Sequence, residues 1–215
     1  MKKVFYLKGM STDKKEYEFI YDLFLNKDIE LINLVSDYSN LGKEKEKVIG
    51  DLCDKISSNI EDGEEIKIIC HSMGCNFLPS IIKKLGCSVN AVLISPEFER
   101  ITKAEQQSII PSDKPITNPP NEMPFSINKI KSILLFVASK AWFNEDKDSL
   151  NDSKLTVLSS KGDKYVSKLA IENLCDTYGG NYHLIDSNSH NPLLERTYAN
   201  DIICDTFEQN KTLGL

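Results

Sequence analysis

Six short apolar runs, each followed by a stretch with helical spacing, set the order of this chain. The runs cover residues 3–7, 29–35, 66–70, 89–95, 155–159 and 182–185. Their length and their content of Val, Ile, Leu, Phe and Tyr suit strands. Residues 13–27 open on polar side chains and read as a first helix. Residues 43–60 carry Val48, Ile49, Leu52, Ile56 and Ile60 at spacings of three and four, which is one helix face. Residues 73–85 read as a helix that stops at Gly86, and residues 165–178 as one that stops at Gly179-Gly180. Residues 192–208 form the last helix, with Leu193, Leu194, Ala199, Ile202, Ile203 and Phe207 as its candidate buried face. Strands alternating with helices make a mostly parallel sheet covered on both faces. The expected fold class is α/β, doubly wound, with six strands in a single domain over residues 1–215.

One connection breaks the rhythm. Residues 96–153 are far more than an α/β unit needs between strand and strand. Pro111, Pro115, Pro119, Pro120 and Pro124 make the middle of this segment extended. Ile127, Ile130, Ile133, Leu134, Val137 and Ala141 then fit a helix, although residues 133–137 alone fit a strand equally well. The segment reads as an inserted lid.

The charge balance excludes several classes of partner. With 26 basic and 32 acidic residues the formal net charge is -6, which gives no footprint for nucleic acid or for an anionic membrane surface. The longest strongly apolar run, residues 133–138, is too short to cross a bilayer. Lys2 and Lys3 are followed by neither a long apolar region nor a cleavage site, so a cytoplasmic protein is expected. The six cysteines, at positions 53, 70, 75, 87, 175 and 204, contain no Cys-x-x-Cys pair and no zinc spacing. They read as small apolar side chains, with a disulfide framework as the lesser alternative.

The chemistry is concentrated where the third strand meets its helix, at Cys70-His71-Ser72-Met73-Gly74. A serine there sits at a helix N-terminus, where free backbone N–H groups favour negative charge. An ordinary N-cap serine would look the same. The turn resembles the nucleophile elbow of the α/β-hydrolase family, G-x-S-x-G, with Cys70 in place of the first glycine. The resemblance implies Ser72 as nucleophile, followed in chain order by an acid and a histidine. His190, in the loop after the sixth strand, takes the family's histidine position. His71 adjoins the nucleophile in a position that is usually structural, and His183 lies inside a strand. Gly162-Asp163, after the fifth strand, resembles the family's acid loop, with Asp186, Asp146 and Asp148 as competitors. Asp163 would otherwise be a helix cap.

Leu7-Lys8-Gly9-Met10 follows the first strand, where the family commonly has His-Gly. Lys8 replaces that histidine. The oxyanion donors implied are the main-chain N–H groups of Met10 and Met73. The same alignment leaves no leading hairpin and implies the strand order 2-1-3-4-5-6, with the crevice between strands 1 and 3. The expected activity is hydrolysis of a small-molecule ester or thioester on a Ser72–His190–Asp163 triad, with no metal and no organic cofactor. Acyl transfer, amide hydrolysis or lipid hydrolysis would use the same groups, with the apolar residues of 127–143 as an acyl pocket or as the lid's own core. A non-catalytic binding protein on this fold is the third reading, motivated by Cys70 and Lys8.

Overall fold

The computed structural model describes residues 1–10, 14–25, 27–38, 41, 44–99, 127–192 and 198–208. Six strands form one sheet: β1 Lys2–Leu7, β2 Ile29–Asn33, β3 Ile66–His71, β4 Val89–Ile94, β5 Lys154–Ser160 and β6 Asn181–Ile185. Their order is β2-β1-β3-β4-β5-β6 and every pairing is parallel, the topology the family resemblance implies. The order reverses between β1 and β3, so the loops leaving their carboxyl ends diverge and open a crevice there.

Side chains alternate between two apolar layers, as a strand period of two requires. Phe5, Leu7, Ile68, Cys70, Ala91, Leu93, Leu155 and Val157 face one layer. Helices α2 Lys45–Ser57, α3 Leu78–Leu85, α4 Ile127–Asp146 and α5 Lys168–Tyr178 supply its other half through Leu52, Ile81, Phe143 and Ile171 among others. Val4, Tyr6, Ile69, Val92, Ile94 and Leu158 face the second layer. There α1 Lys14–Phe24 contributes Ile20 and Phe24, and α6 Tyr198–Glu208 contributes Ala199, Ile202, Ile203 and Phe207. Burying one such side chain stabilises the fold by about 1.5–3 kcal/mol. The predicted last helix is found from Tyr198 onward, and Leu193 and Leu194 lie outside the described residues.

Two local details differ from expectation. The helix after β3 does not begin as an α-helix: Ser72–Phe77 wind as a 3-10 turn, and the α-helix starts only at Leu78. Ile60 falls beyond the end of α2 at Ser57 and is half-buried. In the inserted segment, residues 100–126 with their prolines lie outside the described residues, and 127–146 is one continuous helix rather than a strand.

That helix turns a different face inward than its apolar spacing suggests. Ile133, Leu134 and Val137 are exposed, whereas Leu135, Ser139, Trp142, Phe143 and Asp146 are buried. Specific contacts fix this rotation. Trp142 meets Phe77 edge-on at 6.0 Å, Phe143 stacks on Phe98 at 4.5 Å, and Asn76 Nδ2 donates to Ser139 Oγ at 3.1 Å. Trp142 and Phe143 are thus core residues.

Asp146 is the polar end of the same face. It is 4 % exposed and receives Lys45 and Lys83, each at 2.7 Å, and the Ser80 hydroxyl at 2.6 Å. It therefore ties α2 and α3 to α4. Burial alone would raise its pKa; Lys45, Lys83 and Ser80 outweigh that and hold it at about 2, below the ordinary 3.8. Its contribution to stability is complete above the ordinary value and is lost as pH falls through about 2. Asp146→Asn is expected to cost about 2 kcal/mol near neutral pH. The variant's deficit, read by urea unfolding, shrinks as pH is taken down through that window.

All six cysteines are free thiols. Burial pushes Cys53 and Cys175 up to about 11 and raises Cys70 and Cys75 further, so these four stay neutral and apolar. No described helix is long and apolar enough to cross a membrane.

Candidate active site

β3 ends in extended backbone at His71, and the chain then reverses in one residue. Ser72 takes φ +50°, the left-handed region that disfavours a residue with a Cβ by about 1–2 kcal/mol. Such strain persists only where the surroundings impose it. Here they do. A Cβ on Gly74 would lie 2.7 Å from the Lys8 carbonyl oxygen, so the turn packs directly on the loop after β1 and only glycine fits. Cys75 Sγ donates to the Cys70 carbonyl at 3.3 Å, closing the turn from within. Cys70, the departure from the glycine pattern, is fully buried in the larger apolar layer, where its small thiol fits.

The loops after β5 and β6 are stitched into one unit. Lys161 N–H donates to Ile185 O and Gly162 N–H to Ser187 O, both at 2.9 Å. Asp163 is 1 % exposed; its Oδ1 accepts the Tyr165 N–H at 2.8 Å. Its Oδ2 lies 2.7 Å from His190 Nδ1. His190 Nε2 lies 2.9 Å from Ser72 Oγ. An ionised carboxylate only accepts, so Nδ1 carries the proton and Nε2 is left to accept from the serine hydroxyl. The three residues singled out from the sequence are thus brought into one hydrogen-bonded line.

The competing groups lie elsewhere. Asp186 is largely exposed and sits 3.7 Å from Lys161. Asp148 accepts from the Tyr178 hydroxyl at 3.0 Å, and Asp146 is held by its two lysines. His183 meets the edge of Tyr198. His71 Nε2 faces the His190 carbonyl at 3.4 Å and so supports the base's loop. The Tyr165 ring stands edge-on to His190 at 5.3 Å.

Gly162 allows the two loops to touch. A Cβ there would come within 2.9 Å of Asn188 Cα, a backbone contact that a rotamer change cannot relieve. Gly162→Ala should push the acid and base loops apart. A 1 Å misplacement of such groups costs about a hundredfold in rate. We expect that loss in kcat with little change in KM, measured by steady-state kinetics on a simple ester.

Lys8 turns away from the crevice. Its ammonium reaches the Ser36 carbonyl, and its own carbonyl accepts from the Tyr38 hydroxyl. Tyr38 in turn stacks on Phe77 at 5.7 Å. The loop carrying Gly9 and Met10 is therefore pinned beside the turn that carries Met73. Met73 is fully buried, and Met10 packs against the larger apolar layer.

Sequence reasoning missed Tyr165 and Glu97. Glu97 stands three residues beyond the end of β4, and its Oε1 lies 3.5 Å from Lys140 of α4. Its position just past a strand's carboxyl end was the available signal.

No family model matches the sequence, and no curated protein matches it. Among solved structures the chain is similar to an alpha/beta hydrolase enzyme from a lagoon-sediment metagenome of Mar Chica, Morocco. That similarity has a TM-score of 0.68 at 14% identity over 96% of this chain and 90% of that one. It is similar to an esterase from Exiguobacterium antarcticum, with a TM-score of 0.65 at 13% identity over 95% and 91% of the two chains. A hydrolase from Oleispira antarctica gives a TM-score of 0.62 at 14% identity over 98% and 92%. At these identities the similarity is one of architecture, and the architecture of this chain is the α/β-hydrolase fold.

Proposed function

We propose that the chain is a serine hydrolase that cleaves a small-molecule carboxylic ester or thioester through an acyl-enzyme. The observation that carries this reading is the line from Ser72 Oγ through His190 to a buried Asp163, starting at a serine with positive φ. A merely structural N-cap needs neither the left-handed backbone nor a histidine aimed at its hydroxyl.

In this reading His190 Nε2 takes the hydroxyl proton as Ser72 Oγ attacks the carbonyl carbon. Asp163 holds Nδ1–H and stabilises the imidazolium that forms. The main-chain N–H groups of Met10 and Met73 receive the oxyanion. The alcohol or thiol leaves with the proton from His190. Water then repeats the sequence on the acyl-enzyme, giving up its proton to Nε2, and the carboxylic acid departs as Ser72 is regenerated. These groups handle every proton and electron pair in the cycle. We place the protein in the cytoplasm, a reading supported by its six free thiols.

A chain-length series of p-nitrophenyl esters and acyl-thioesters, run against the wild type and a Ser72→Ala variant, tests the reading. Hydrolysis by the wild type alone is expected. Added alcohol acting as a competing acceptor would move the reading to acyl transfer. Equal rates in the two proteins would remove it.

A further inference from the structure

The residues just beyond β4 and the middle of α4 meet beside the proposed catalytic line. β3 and β4 are in register at His71 and Ile94, so Ser72 and Ser95 leave the sheet side by side. Glu97 follows two residues later, just beyond the carboxyl end of β4. Ser139 is hydrogen-bonded to Asn76 in the serine turn, which holds α4 against that turn. Phe98 stacked on Phe143 locks the two segments together.

Between them the Lys140 ammonium occupies a defined place. It lies 3.5 Å from Glu97 Oε1 and 4.4 Å from the centroid of the Phe136 ring. A carboxylate on one side and an aromatic face on the other is the chemistry that recognises an ammonium ion. The resident lysine shows that the geometry holds one. The pairing is loose: 3.5 Å is long for a charge-assisted hydrogen bond, which is typically about 2.7–2.9 Å. Burial raises the Glu97 pKa, and Lys140 only partly offsets that. Lys140 remains a quarter exposed on a flexible stem and can swing outward.

We propose that Glu97 and Phe136 form a cation subsite beside Ser72, from which a substrate's ammonium group displaces Lys140, so that the enzyme prefers esters or thioesters carrying a cationic ammonium group. This rests on the serine hydrolase reading and names its substrate class. The net charge of -6 draws such substrates toward the protein.

The test uses two matched pairs. One pair places a trimethylammonium group, or its neutral tert-butyl isostere, at the end of the acyl chain of a p-nitrophenyl ester. The other places the same two groups on the thiol of a thioacetate. The wild type should show kcat/KM about tenfold higher for the charged member of at least one pair, a ratio typical of a partly exposed charge contact. Glu97→Gln should bring that ratio to about one, the charged member losing about tenfold relative to the neutral one. Lys140→Met, which vacates the subsite, should raise it. A merely structural role for Glu97 would move both members together. Equal wild-type cleavage of charged and neutral members in both pairs, or an unchanged ratio in Glu97→Gln, overturns the inference and leaves the hydrolase standing. No cleavage of any of the four substrates overturns both. The wild-type ratio is read without a variant, so a misfolded variant does not rescue the inference.

Discussion

Replacing Ser72 by alanine is expected to lower kcat on a p-nitrophenyl ester about a million-fold, with the fold intact. The size of the effect follows from the arrangement. Without Oγ, no nucleophile stands 2.9 Å from His190 Nε2, and the remaining groups stabilise only the small rate of direct attack by water. Stability adds a second readout at the same position. Alanine keeps a Cβ at φ +50°, whereas glycine removes it. Ser72→Gly should therefore unfold about 1 kcal/mol later than Ser72→Ala, although both are inactive. A serine retained at this backbone angle gives up stability for position, and the pair of variants measures how much.

The second large effect is expected at Asp163. Asparagine has the same shape, but its two ends are not equivalent. The Tyr165 N–H, 2.8 Å from Oδ1, demands an acceptor and so fixes the amide oxygen on that side. The amide NH2 then faces His190 Nδ1 at the position of Oδ2. Nδ1 must become the acceptor, which moves the ring proton to Nε2, facing the serine. His190 can then no longer take the hydroxyl proton. Asp163→Asn should lower kcat by about 10,000-fold with KM and thermal stability little changed. Combined with Ser72→Ala it should add almost nothing, since the two residues act as one unit.

Much of the architecture was legible because each level of the sequence agreed. Short runs such as 66–70 and 89–95 are mostly apolar, interrupted early by Lys67 and Asn90, and a strand buried on both faces needs that apolar content. Gly86 and Gly179 marked helix ends that the structure places there. The candidate site was legible as a chain order, with a serine after β3, an aspartate after β5 and a histidine after β6. The distances were not, because they depend on how Gly162 and Asn188 let two loops meet.

The rotation of α4 misled for a physical reason. Ile133, Leu134 and Val137 share a helix face, but so do Leu135, Trp142 and Phe143, and a helix apolar on most sides carries no preferred direction. Phe77, Phe98 and the lysines around Asp146 choose the buried face, and they come from other parts of the chain. Glu97 was hidden for the same reason. One glutamate among 32 acidic residues acquires meaning only when β4 ends beside β3 and α4 brings Lys140 against it.

Labelling with a fluorophosphonate, which phosphonylates only an activated serine, tests the central claim most directly. The wild type should take up one phosphonyl group, mapped by peptide mass spectrometry to Ser72. Asp163→Asn should react far more slowly and Ser72→Ala not at all. A folded wild type that stays unlabelled, or a label on any other residue, would contradict the assignment of Ser72 as the nucleophile.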